Sequence, residues 1–408
     1  MALMPVDEAL ARLLAAARPL ESETVPLDGA QGRVLAAPVI SRRTTPGADV
    51  SAMDGYAVRA QDVADVPATL ALIGESAAGR PFPGDVAPGT TVRIFTGAVL
   101  PEGADAVVIQ EDTRRAGEAV TVTEAATIGR HIRRAGGDFA TGETLLEPGH
   151  RLRARDLALV AAADIAELRV ARRPRVGLLS TGDELVRPGM GAAAHQVIVS
   201  NLYSVAALAR DAGAEAIDLG ILPDDMDATR AGVRAALRAG LDVLVTTGGA
   251  SVGDHDLIAP ALTAEGVELA VHRIALRPGK PLMFGRPTDG ATGPLVLGLP
   301  GNPVSAHVCA LLFLVPLLRA LQGLAVPPGP QFQPARLAVE VKANEQRMDF
   351  QRAEIVGYES GVPLVRPLPV QDSSMLRNLS RADVLLVRRP HAPAAQAGEL
   401  CEILPLED

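Results

Sequence analysis

From Arg175 onward the chain alternates short apolar runs with stretches of helical period, and this pattern constrains its fold more than any other feature. VGLLSTGDEL begins as a short buried strand and runs into a polar loop. SNLYSVAALARDAG reads as a helix, with Ser200 or Asn201 as N-cap and Gly213 at its C-terminal end. AEAIDLGIL is a strand, DATRAGVRAALRAG a helix and LDVLVTTGG another strand; ASVGDHDLIAPALTAEG starts the next helix, and PLVLGLP leads into PVSAHVCALLFLVPLLRAL. Strands alternating with helices of this length indicate a parallel α/β sheet.

The segment before it has a different texture. Residues 6–18 carry apolar positions at helical spacing and an Asp-Glu start, the signature of an amphipathic helix. From about Glu23 to Ala171, the β-like runs ATLALIG, TTVRIFTG, DAVVIQED and AVTVTEA alternate with Gly and Pro punctuation, which predicts hairpins closed by a helix over RARDLALVAAADI. The Pro-rich AVPPGPQFQP at 325–334 is a linker, and ARLAVEV, VPLVRPL and ADVLLVRR beyond it predict a small β domain.

A chain of 408 residues suits two to four domains of common size. Aromatic residues are only 2%, so the cores must be built from Val, Leu, Ile and Ala. The formal charge of −9 argues against a nucleic-acid binder, and an anionic ligand would need a local pocket of basic side chains and backbone N–H groups. Cys309 and Cys401 are too few for a disulfide framework or a Cys-based metal site, and Cys309 is most simply a small buried hydrophobe. The N-terminus does not read as a secretory signal, and the longest apolar run, Val308 to Leu318, is too short to span a bilayer and contains Pro316. A cytoplasmic location without membrane contact is expected.

In an open α/β sheet, ligands bind where the carboxyl ends of strands lead into helices. Three loops have the composition for that: STGDEL (180–185) with Thr181, Asp183 and Glu184, TTGGASVGDHD (246–256), and LPGNPVSA (299–306), which opens a helix. Gly248, Gly249 and Gly253 let backbone approach a phosphate closely, and Asp254 or Asp256 could hold a hard cation such as Mg²⁺. The same glycines also suit a tight turn, and the same acids suit helix caps. There is no Walker A sequence and no GxGxxG. RPGKPLMFG (277–285) sets Arg277 and Lys280 around a Pro-Gly turn, an arrangement suited to an anion, while Arg133 and Arg352 are further candidate cations. His131, His195, His255, His272 and His307 form no metal-ligand spacing with Cys or Glu.

Taken together, SAMDGYAV, RIFTGAVLPEGADAVV, IRRAGGD, LLSTGDEL, SNLYSVAALARDAG, TTGGASVGDHD, RPGKPLMFG, GLPGNPVSA, DFQR and QDSSMLRNLS resemble the molybdopterin molybdenumtransferase family (MoeA in bacteria, the E domain of gephyrin in animals). The resemblance runs in order through nearly the whole chain. It implies an elongated homodimer of four-domain subunits: a composite of 1–45 and 139–172, a β-rich domain over 46–138, a molybdopterin-binding α/β domain over 173–325 of the kind found in MoaB and MogA, and a barrel-like C-terminal β domain over 326–408. The active cleft would lie between the α/β domain of one subunit and the β-rich domain of the other.

The implied reaction consumes adenylylated molybdopterin and molybdate with Mg²⁺, giving molybdenum cofactor and AMP. Asp54 and Asp254 would then hold the metal on the pyrophosphate with Glu184 and Asp183 nearby, and Asp54, Thr96, Glu184 and Asp254 would form the catalytic set. Arg277, Lys280 and the turn Pro300–Gly301–Asn302–Pro303 would hold phosphates and molybdate, with Thr96, Ser251 and Ser305 as small polar anchors and Arg352 as a further ligand contact. Gly137 stands where the family usually carries Glu, and Val199 where Asp is frequent. Ser374, Arg377 and Asp383 likewise stand where smaller or amide residues are usual. The sister enzyme that delivers the adenylylated substrate and the proteins that accept the cofactor are the expected partners. Two rival readings are that adenylyltransferase activity itself, against which the β-rich segment speaks, and a non-catalytic scaffold.

Overall fold

The computed structural model of the chain describes residues 3–248, 257–288, 293–325 and 329–406. Six strands form its central sheet in the order Glu215–Leu222, Arg175–Thr181, Val243–Thr247, Leu295–Leu299, Pro281–Pro287, Val267–Arg273. The first four are parallel, as the strand–helix alternation requires. The last two run antiparallel, so the sheet is mixed rather than wholly parallel. Connection length is the reason. A parallel crossover takes a dozen or more residues, whereas residues 274–280 and 288–294 are each only long enough for a reversal.

Helices cover both faces of this sheet, which is why its parallel strands are apolar without alternation. Val176, Leu178, Val243 and Val245 pack with the helices Asn201–Asp211 and Pro303–Leu321. Leu179 and Leu244 turn the other way, onto Met226–Leu237 and Ile258–Ala264. Val199 joins the first of these cores and is 2% exposed, so an acid in its place would be buried.

Pro303–Leu321 is longer than the apolar run suggested, and by length and composition alone it could cross a membrane; yet 78% of its most apolar window is buried inside the fold. Its middle, Ala310–Leu314, is π-helical. That wider turn lies just before Pro316, which has no N–H to give and whose ring crowds the preceding turn of a regular helix. The N-terminal helix, Val6–Ala16, presses Val6, Ala9 and Leu13 against the same core.

Ser22–Pro26 pairs with Glu167–Ala171, and Val39–Ile40 with Thr144–Leu146, so the segments before and after the β-rich stretch share one core of residues such as Leu35, Val39, Phe139, Leu152 and Val160. Thr45 and Phe139 form a bridge where the intervening chain leaves and returns. That chain builds a second six-stranded sheet, in the order Ala106–Ile109, Gly55–Val58, Thr90–Ile94, Ala68–Ser76, Ala119–Val122, Thr113–Ala116.

The C-terminal region is a closed five-stranded barrel: Met348–Glu359, Val362–Pro367, Gln333–Leu337, Leu400–Pro405, Val384–Arg388 and back to Met348–Glu359. Met348–Glu359, its longest strand, escapes a pattern search because Asp349 and Arg352 are buried along with Met348, Phe350 and Ala353, which erases the alternation. Leu276–Arg277 pairs in parallel with Met348–Asp349, so the connection between the two antiparallel sheet strands is anchored on the barrel.

Both thiols are shielded. Cys309 is fully buried against the Gly279 carbonyl, 3.7 Å away, and burial pushes its thiol far up; burial also pushes Cys401 up to about 11. The thiolate is the reactive form. A disulfide thiol reagent at pH 8 should therefore find no fast-reacting cysteine in the folded protein and two after unfolding; a fast native thiol would contradict this packing.

Candidate functional site

The four parallel strands end on one side, and a loop from each contributes to a single cleft of about 1440 Å³: Glu184, Asp224, Gly248 and the turn Pro300–Gly301–Asn302. Gly248 has φ +89, and a Cβ there would lie 2.8 Å from the Thr181 carbonyl oxygen, so only glycine lets these two loops meet. Gly182, at φ +143, gives up its side-chain space to the Glu184 carboxylate, which would stand 2.4 Å from a Cβ.

Helix Pro303–Leu321 points its N-terminus at the cleft, with Pro303 as its first residue, where a missing N–H costs nothing. The Asn302 side chain does not cap its own helix. Instead the barrel loop does so: Val304 N–H donates to the Ser373 carbonyl at 3.0 Å, and Asn302 Nδ2 donates to Ser373 Oγ at 3.0 Å. Asn201 Nδ2 donates to the Gly301 carbonyl at 2.7 Å, and Ser200 holds the N-cap position of the neighbouring helix without a side-chain cap bond.

Two cations of the cleft come from the 274–280 connection. Arg277 Nη2 donates to Asp349 Oδ2 at 2.7 Å, and Asp349 is 5% exposed, so this guanidinium is held by a nearly buried carboxylate. Lys280 is exposed and has no acidic partner among the described residues. Pro303 and Ser305 also line the cleft, as do Gln371, Asp372, Ser373 and Ser374 of the barrel loop. In that loop Asp372 Oδ1 accepts from Ser374 N at 2.8 Å and Ser374 Oγ at 2.7 Å, which lowers its pKa from the usual carboxylate range.

Several expected residues lie elsewhere. Arg352 does not face the cleft: it is 1% exposed, donates from Nη2 to the Asp372 carbonyl at 3.1 Å and exchanges main-chain bonds with the Gln371 amide. It therefore supports the loop from below instead of contacting a ligand, and burial lowers its pKa. Asp183 is also outside the lining; it exchanges backbone-to-carboxylate bonds with Asp224, at 3.1 and 3.3 Å. Asp224 itself was missed in the sequence, although its position directly after a parallel strand follows the rule that singled out Glu184. Arg347, another lining cation, was missed as well.

Asp54 and Thr96 belong to the β-rich sheet, outside the cleft lining. Asp54 Oδ1 accepts from Thr96 N at 2.7 Å and from Thr96 Oγ1 at 2.8 Å, and these two bonds hold the carboxyl below its usual range. Gly249, Ser251, Gly253, Asp254 and Asp256 lie outside the described residues, as does His255. Among the described residues, no three His, Cys, Asp or Glu side chains form a ready metal cluster.

The site is thus a cleft between a mixed α/β domain and a barrel, lined by strand-end loops and by the cations Arg277 and Lys280. Its separate regions match three family patterns in order: "MoeA N-terminal region (domain I and II)" over 4–163, "Probable molybdopterin binding domain" over 177–320 and "MoeA C-terminal region (domain IV)" over 334–406. The molybdopterin molybdenumtransferase of Haemophilus influenzae is 35% identical over 406 residues, 99% of this chain and 98% of that protein. That of a Nostoc species is 39% identical over 335 residues, 81% of this chain and 76% of that one. The crystal structure of a molybdopterin biosynthesis MoeA protein from Pyrococcus horikoshii superimposes with a TM-score of 0.83 at 30% identity, covering all of both chains. The chain belongs to the molybdopterin molybdenumtransferase family.

Lys280 and Arg352 should separate experimentally. Lys280→Ala should weaken binding of inorganic pyrophosphate, measured calorimetrically, by about tenfold without moving the unfolding midpoint. Arg352→Met should lower the unfolding free energy by about 1–3 kcal/mol, since it leaves the Asp372 carbonyl without its donor. The reverse pattern would mean that the cleft is not the anion site.

Proposed function

We propose that this protein inserts molybdate into adenylylated molybdopterin, releasing AMP and leaving molybdenum cofactor. The observation that carries this reading is the presence, in one cleft, of Lys280, which has no acidic partner among the described residues, together with the strand-end carboxylates Glu184 and Asp224. Family membership supplies the substrate class. A phosphoanhydride needs its charge neutralised while one phosphate departs, and cations already positioned at the cleft do this with little reorganisation during the reaction. Lys280 and Arg277 take the phosphates, and Gly248 with the Pro300–Gly301–Asn302 turn lets the backbone come close to them. Ser305 and the barrel loop bound the other side, and Leu185, Val197 and Ile198 offer an apolar wall.

The donor set fits Mg²⁺, a hard ion that binds one or two carboxylates and completes its shell with phosphate oxygens and water. Glu184 would hold it with Asp54 and Asp254, and Asp224, which lines the same cleft as Glu184, is a further candidate ligand. When bound, the ion would neutralise charge on the anhydride. The catalytic set of this reading is Asp54, Thr96, Glu184 and Asp254, with Asp183 supporting the loop that carries Glu184.

Asp54 and Thr96 lie outside the lining of their own subunit's cleft, which supports a homodimer with two shared sites as the working form; the reading places it in the cytoplasm. Each subunit divides into the composite 1–45 and 139–172, the β-rich 46–138, the α/β 173–325 and the barrel 326–408. The adenylyltransferase that makes the substrate and the proteins that take the cofactor are its expected partners.

AMP release from adenylylated molybdopterin with Mg²⁺, measured with and without molybdate, tests the reaction. Release that depends on molybdate supports it; tight binding without release points to a scaffold, and consumption of ATP to the adenylyltransferase. Glu184→Gln and Asp54→Asn should each lower turnover by about 100-fold while ligand affinity stays within a few fold. Reassociating the two inactive variants tests the shared site. Random pairing makes half the dimers mixed, each with one intact cleft, so activity should return to about a quarter of the unaltered level. No recovery would exclude a site built across subunits.

A further inference from the structure

Arg93 stands directly across from Tyr56 in the antiparallel pairing of Gly55–Val58 with Thr90–Ile94. Its guanidinium carbon lies 5.1 Å from the Tyr56 ring centroid and 4.9 Å from that of Phe95, so one cation rests against two aromatic faces. In a chain with three Tyr, seven Phe and no Trp, two rings on one guanidinium is a heavy use of a scarce resource. Nη1 donates to the Gly55 carbonyl at 3.1 Å, and Nη2 to Gln110 Oε1 at 2.7 Å. Gln110 in turn donates its backbone N–H to the Asp54 carbonyl at 3.1 Å. Arg93 has no carboxylate in ion-pair range among the described residues, so a surface salt bridge does not explain it.

These contacts converge on Asp54 and Thr96. Tyr56 follows Asp54 by two residues, and Phe95 immediately precedes Thr96. The segment bearing the carboxylate and the segment bearing its hydrogen-bond donors are thus both fastened to the same guanidinium. Gly55 supplies the backstop: a Cβ there would lie 2.0 Å from the Val108 carbonyl oxygen, so the strand is pressed flat against its other neighbour. Without Arg93, the alignment of an exposed carboxylate would rest on the two bonds from Thr96, on the main-chain bond from Gln110 to the Asp54 carbonyl and on ladder bonds from Gly55 onward.

We propose that Arg93 is a positioning residue for the reaction: its guanidinium holds Asp54 and Thr96 in the geometry in which the carboxylate serves a substrate bound in the cleft. The proposal rests on the reading of Asp54 as a catalytic residue. A carboxylate displaced by about an ångström loses rate without losing substrate affinity, so the expected signature is in kcat.

The test is steady-state molybdate-dependent AMP release with the full-length protein. Arg93→Met, which keeps apolar bulk beside the rings, should lower kcat by about 10- to 100-fold with KM within about threefold, in a protein that still folds and unfolds cooperatively. Arg93→Lys, which can still stack and donate one bond, should recover most of the loss. In a Thr96→Ala background, Arg93→Met should cost no more than about threefold further, because both changes release the same carboxylate. Near-normal kcat in Arg93→Met beside a crippled Asp54→Asn overturns the proposal, as do losses that multiply in full on Thr96→Ala. Full activity in Asp54→Asn is a separate result that removes the reading of Asp54 and the proposal with it. Should Arg93→Met fail to fold, Gln110→Ala decides in its place: it removes one anchor, and a loss of about threefold or more in kcat supports the proposal, whereas an unchanged kcat overturns it.

Discussion

A helix ends with backbone N–H groups that have no partner within it, and something must accept from them. At the N-terminus of Pro303–Leu321 the acceptor is the carbonyl of Ser373, which belongs to the barrel. That bond joins the two walls of the cleft. On the barrel side, Ser373 sits in a loop tied to Arg352 by the guanidinium's bond to the Asp372 carbonyl and by the Gln371 amide's bond to the Arg352 main chain. On the α/β side, the same turn is tied to Asn201 through Gly301. The pairing of Leu276–Arg277 with Met348–Asp349 makes a second joint, and it carries the cations. The width of the cleft is thus set by main-chain bonds, with side chains arranged around them.

This arrangement also gives an acidic protein a locally basic cleft. The net charge of −9 is spread over the surface, while Arg277 is locked on a nearly buried Asp349 and Lys280 is left uncompensated among the described residues. Local geometry outweighs overall balance because screening by salt leaves only nearby charges to act.

Much of this was legible in the sequence. The four parallel strands and their covering helices follow from apolar runs spaced by helical period, and the cleft follows from where such strands end. The antiparallel edge was not legible, because Val267–Arg273 and Pro281–Pro287 are distinguished only by a connection too short for a crossover. Asp224 was hidden in a strand end read for its apolar residues. Arg352 was expected as a ligand contact from the DFQR motif, whose letters carry no sign that the closed barrel buries it under a loop. The pairing of Asp54 with Thr96 links residues distant in sequence and needs the register of Gly55–Val58 against Thr90–Ile94 to appear. The order of the family motifs, by contrast, was readable from letters alone.

The β-rich sheet leaves and rejoins the rest of the chain at one bridge, Thr45 opposite Phe139. An excursion whose two ends already touch adds little closure entropy however long it grows, because its parent layer is complete without it. Such a segment is topologically a cassette. Its length and internal folding can therefore vary without disturbing the layer that it leaves and rejoins.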